Sequence, residues 1–135
     1  MIQKIIINKD LLAIIIKKES NPKKNGANFI TDKNSPLQLG FINYPKNHII
    51  KPHFHPKRKK IIYTCPEVLI VKEGTMLVFF YSKNNKKVSV KKKLQKGDII
   101  LLLKGGHSFK VLKKINLIEI KQGPYSANKD KKIIK

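Results

Sequence analysis

The sequence predicts an all-β fold, and three observations carry the prediction. Short runs are dominated by isoleucine, valine and phenylalanine. Turn residues recur at about every eight to twelve positions, the rhythm of a sandwich or barrel. No window keeps a helical period for long.

Taken in order, the candidate strands fall at 2–7, 11–17, 38–44, 49–55, 67–73, 75–82, 86–94, 97–103, 107–112 and 115–121. Only Leu11–Lys18 has any helical periodicity, and there β-branched Ile14, Ile15 and Ile16 favour a strand. Residues 21–28, with Pro22 and Gly26 among lysines, read as an exposed loop. A hairpin is expected to join 76–81 to 87–94 through Lys83-Asn84-Asn85-Lys86, where asparagine tolerates positive φ. Gly105-Gly106 breaks the chain just before His107, and the lysine-rich tail 128–135 should be loosely held. Runs such as 68–71, 77–80 and 99–103 are apolar on both faces, although a lone sheet alternates where one face meets water. A second copy covering the outer face would account for this, so a homodimer is expected.

At 135 residues the chain reads as a single domain, 1–135, able to bury a real core. One cysteine, Cys65, cannot form an internal disulfide and fits a reducing cytoplasm; an inert buried thiol is expected. No apolar run approaches the roughly 18–20 residues of a membrane span, and the short run from Leu11 to Ile16 has no cleavage site after it. Cytoplasmic localisation is therefore expected, with no membrane partner.

The formal net charge is +22, from 29 lysines and a lone arginine, Arg58. Proteins that read bases or clamp phosphates lean on arginine's planar fork, so nucleic acid is not the expected partner. Abundant Lys, Ile and Asn with three alanines instead suggest an AT-rich coding sequence. The charge would still draw acidic small molecules toward a cleft.

His53 and His55 stand two apart on an expected strand, which would point both imidazoles to one face. Glu67 opens the next strong strand, and His107 follows Gly97-Asp98, an apolar strand and the double glycine. Three imidazole nitrogens and a carboxylate on neighbouring strands would hold one divalent metal ion (Zn, Fe, Mn or Ni) with positions left open.

The set His53-Phe54-His55, Glu67 with Gly74 seven positions on, Gly97-Asp98 and His107 resembles the two motifs of cupins, the RmlC-like superfamily. The resemblance covers about 38–121 and implies a double-stranded β-helix barrel, jelly-roll-like, with metal at those four positions. It departs from the pattern in three places. No glycine heads the first motif, where Asn47 would make the turn; eleven residues separate His55 from Glu67, where three or four are usual; and the second motif lacks its proline and is one residue short. Pro52 through Pro56, with Glu119 through Tyr125 and Asp130-Lys131, is similar to small bacterial WbuC-type cupins, which implies a link to polysaccharide or nucleotide-sugar metabolism without fixing a reaction.

The insert after His55 carries Lys57 and Arg58, candidate binders of a small anionic ligand; a solvated basic loop is the competing reading. Glu119 and Tyr63 are the catalytic candidates. Glu119 would be a general base if it faced inward, but alternation with Ile118 and Ile120 fits a surface position as well. The expected function is metal-dependent action on a small polar metabolite, by Lewis-acid isomerase or epimerase chemistry or as a dioxygenase. A non-catalytic binding or sensor module is the alternative.

Overall fold

The structure, a computed structural model, describes residues 1–82, 87–126 and 129–134. Its eight elements are all strands: β1 (Ile2–Ile7), β2 (Asp10–Ile16), β3 (Gly26–Phe29), β4 (Gly40–Asn43), β5 (Glu67–Tyr81), β6 (Val88–Gln95), β7 (Ile99–Leu102) and β8 (Gly106–Lys121). The all-β expectation holds, and no helix among the described residues is long and apolar enough to cross a membrane. The expected 83–86 turn lies outside the described residues. The chain divides into two compact units: Met1–Ser20 with Thr64–Lys135, and Asn21–Tyr63.

In the first unit the sheet runs β1-β2-β7-β5-β6, with β8 on the other side of β5. Asn8 and Lys9, both at positive φ, make the tight turn between β1 and β2. Strand β2 lies between β1 and β7, so both its neighbours are strands, and Leu12 through Ile16 are all buried. Ile15, Ile100, Leu69 and Glu119 lie in one cross-strand row, and the first three join the core cluster with Met76, Val78 and Phe80. On the opposite face Ile14, Leu101 and Val68 are also buried within one chain. Further along that face, on β8, Ile118 and Ile120 remain 44% and 50% exposed.

Strand β5 organises the unit. One edge pairs first with β7 and then with β6, while the other pairs with β8 along its length. Sequence reading divides this stretch at Gly74, and likewise divides 107–112 from 115–121; both prove to be continuous strands with irregular register between Val71 and Met76. The inward side chains are Glu67, Leu69 and Val71 before the irregularity and Met76, Val78 and Phe80 after it. Five steps on β5 face six on β8 across this stretch, and the parity of β5 resets, which keeps its apolar face inward where strict alternation would turn it out. Gly74 sits there at φ +87, and a Cβ built on it would stand 1.8 Å from the Lys114 carbonyl oxygen.

Gly97, at φ +88, turns the chain between β6 and β7. Asp98 behind it is fully buried, accepts hydrogen bonds from the Lys18 and Gln95 amides at 2.9 and 3.0 Å, and pairs with Lys17. The Gly-Asp pair is thus a structural lock between β2 and the β6–β7 turn.

The second unit holds the β3–β4 hairpin, in a region where sequence reading placed a loop at 21–28. Gly40 admits it, because a Cβ there would meet the Asn28 carbonyl oxygen at 2.6 Å. Asn47, at φ 67, makes the expected turn. The strand expected at 49–55 is absent: residues 48–63 form no ladder. Pro52 and Pro56 each lack the N–H a ladder needs, and Ile49 and Phe54 stay exposed.

Gly74→Ala should destabilise the chain by about 3 kcal/mol or more, since it adds positive-φ strain to a backbone clash. Denaturant unfolding monitored by circular dichroism checks this; a loss below about 1 kcal/mol would show that the ribbon tolerates a side chain at the bend.

Candidate functional site

Glu67 and His107 meet although they stand far apart along one ribbon. His107 pairs with Phe80, thirteen residues beyond Glu67 on β5. A straight strand would separate those positions by about 43 Å. The Glu67 Oε2 and His107 Nε2 atoms are nevertheless 3.5 Å apart. The β5–β8 ribbon therefore bends back over itself, with Gly74 in the bend.

The bend encloses a cleft of about 330 Å³ lined by Glu67, Leu69, His107, Phe109, Leu117, Glu119 and Lys131. Glu119 pairs in register with Leu69 and so lies on the core-facing side. Its side chain remains 45% exposed, so it lines the cleft from a position still at the surface, as sequence alternation allowed. Ile118 and Ile120 point to the opposite face of β8. Lys121 Nζ approaches Glu119 at 3.3 Å and the second oxygen of Glu67 at 3.9 Å, and lies over the Tyr125 ring. Glu67 thus faces His107 with one oxygen and Lys121 with the other.

Burial lowers the His107 pKa from its ordinary 6.5; the Glu67 charge opposes this, while Lys131 adds to it and Glu119 offsets it. The imidazole is accordingly held neutral, the form that ligates a metal. For Lys121, burial pulls downward, but the hydrogen bond and charge of Glu119, followed by Glu67, raise its pKa overall.

His53 and His55 lie in the other unit, both exposed, with ring centroids 5.3 Å apart at 79°. His53 Nδ1 is 2.9 Å from the Lys51 carbonyl oxygen. A carbonyl only accepts, so Nδ1 donates this hydrogen bond, and Nε2 is the nitrogen left to face a ligand. Lys57, Arg58 and Tyr63 are exposed in this unit, Tyr63 to 92%. The candidate ligands thus form two pairs on separate units, and among the described residues no three of His, Cys, Asp and Glu gather as a metal group.

Cys65 is exposed rather than buried, with Sγ 3.9 Å from the Gln122 carbonyl oxygen. A larger cleft of about 400 Å³, lined by Asn8, Asp10, Thr64, Ser82 and Lys104 among others, has no histidine. Its two charges pair with each other at 2.6 Å, so the chemistry lies in the smaller cleft. Lys121 and Lys131 are cleft residues that the sequence reading named only within the family resemblance and gave no role. Lys121 shares the inward parity of Glu119, a signal visible once that face is known; the Asp130-Lys131 resemblance does not say where Lys131 docks.

The chain belongs to the cupin family, whose pattern matches it over residues 17–111. No curated protein and no solved structure matches it.

His107 predicts a specific pH response in the metal-free chain. Its folded-state pKa lies below 6.5, so on acidification through 6.5 the unfolded chain takes up the proton first. Stability from this residue is present above that pH and is lost below it. The thermal midpoint should fall between about pH 7.5 and 5.5, and His107→Gln should flatten the slope. An unaltered slope in the variant would place the titration elsewhere.

Proposed function

We propose that this cupin binds one divalent metal ion through His53, His55, Glu67 and His107 and acts on a small, hydroxylated, anionic metabolite. The observation that carries the reading is the Glu67–His107 approach at 3.5 Å. Two donors each about 2.1 Å from one ion, at a tetrahedral angle, would stand about 3.4 Å apart, so the pair fits a shared ion. The neutral His107 and the proton-bearing Nδ1 of His53 favour the same use. A bound ion would supply Lewis-acid polarisation or, if it were iron, a site for oxygen chemistry.

Glu119 is the proposed proton acceptor, since its carboxylate lines the cleft beside Glu67 and His107. A sugar or nucleotide-sugar derivative is the proposed substrate class, in keeping with the resemblance of the 52–56 and 119–125 segments to small polysaccharide-associated cupins. One observation favours a binding or sensor role without catalysis: Lys121 Nζ stands 3.3 Å from Glu119 Oε1, so that oxygen is already engaged in an ion pair. A homodimer through the exposed Ile118 and Ile120 of β8 and a cytoplasmic location complete the proposal.

Elemental analysis after loading with Zn, Fe, Mn or Ni should find about one ion per chain. Replacing His107, or both His53 and His55, by alanine should weaken affinity beyond the roughly 10–100-fold that an outer partner costs. A folded chain that takes up no ion, or one whose affinity ignores His107, overturns the proposal.

Sedimentation equilibrium checks the assembly. The wild type should be dimeric at about micromolar concentration, and Ile118→Lys with Ile120→Lys should be monomeric. A monomeric wild type removes the dimer and leaves the metal site untouched.

A further inference from the structure

The segment after β8 returns to the cleft. The Ser126 amide donates to Asp130 Oδ2 at 2.6 Å, and the Asp130 and Lys129 amides donate back to the Ser126 carbonyl at 2.9 and 3.1 Å. These bonds fix the chain just before Lys131, which lines the cleft with Glu67, His107 and Glu119. Beyond it, Ile134 packs on Gly106, where an added Cβ would meet Ile134 Cδ1 at 2.5 Å. Gly106 is the residue before His107. The tail thus turns just before Lys131 and is tied just after it, to the strand end that carries the histidine.

The charges of the cleft are not equally occupied. Glu67 faces His107 and Lys121, and Glu119 holds Lys121. Lys131 lines the cleft with no carboxylate within ion-pair distance among the described residues, and its charge is close enough to help lower the His107 pKa. An ammonium carries three donors and no acceptor, so one that lines a cleft without a carboxylate partner can give them to whatever occupies the space. A compact oxyanion completes that set, and the Glu119 carboxylate can accept from a neighbouring hydroxyl.

We propose that Lys131 is the anion-recognition residue of the cleft, receiving the phosphate or carboxylate of a small hydroxylated ligand. The role sequence reading gave to Arg58 and Lys57 then falls to the tail. The inference rests on the cleft being the ligand site proposed above, and it does not require the metal.

Inorganic phosphate is the probe. It is titrated into the full-length chain, with and without added Zn²⁺, while the His107 ring resonances are followed by NMR. A site-specific signal is needed because a chain of net charge +22 attracts phosphate everywhere. The wild type should show saturable His107 shifts, Lys131→Ala should weaken binding by about tenfold or more, and Lys131→Arg should largely preserve it. Arg58→Ala and Lys57→Ala should leave the titration unchanged, and zinc content should be the same in every variant. Wild-type affinity in Lys131→Ala, loss in Arg58→Ala instead, or no saturable shift in the wild type would overturn the assignment. A chain that binds no zinc yet loses phosphate with Lys131 would refute the metal reading and leave this one standing.

Discussion

A two-stranded ribbon as long as β5 with β8 cannot by itself bring its ends together; left straight, it would hold Glu67 and His107 tens of ångströms apart. What allows them to meet is a backbone approach at Gly74 that no side chain could share, since the Lys114 carbonyl occupies the space a Cβ would need. The register irregularity around the glycine has two effects. It bends the ribbon, and it resets the parity of β5 so that Met76, Val78 and Phe80 continue the apolar face begun by Leu69 and Val71. Core and cleft thus have one origin. The same inward row that buries Leu69 against Ile100 and Ile15 carries Glu119 at its β8 end.

Much of this was legible in the chain, because period-two patterning and turn chemistry are local. The isoleucine runs gave strands, Asn47 gave its turn, and Gly97-Asp98 marked a tight corner whose buried carboxylate satisfies two amides. Glu67 and His107 could be paired from the sequence because the family motif records a contact that spacing alone does not. Glu119 was harder. Alternation along β8 says that it opposes Ile118 and Ile120, but not which of the two sets faces inward. Only the register with Leu69 decides that. The strand expected around His53 failed for a local reason: prolines on both sides of the pair remove ladder donors. The Asp130-Lys131 pair belongs to the family resemblance, but the place of Lys131 in the cleft could not be read, because it depends on where a loosely patterned tail docks.

The charge composition, so prominent in the sequence, takes on a narrower meaning in the fold. Most of the lysines sit on the surface, whereas Lys17 and Lys121 are largely buried and each answers a particular carboxylate. Function is to be sought in the few lysines that line enclosed space, not in the sum.

The two oxygens of Glu67 divide their attention between opposite ends of the ribbon, His107 from one and Lys121 from the other. A ligand that grips Glu67 and His107 together therefore closes a long loop of chain, and part of its binding free energy is spent holding the curvature. Affinity becomes a property of the whole strand pair. A chain with a stiffer bend would bind more tightly through the same atoms, and one with a softer bend would bind weakly while every residue of the cleft stayed unchanged. Evolution could thus retune this site from about 20 Å away along the strand without touching a single contact residue.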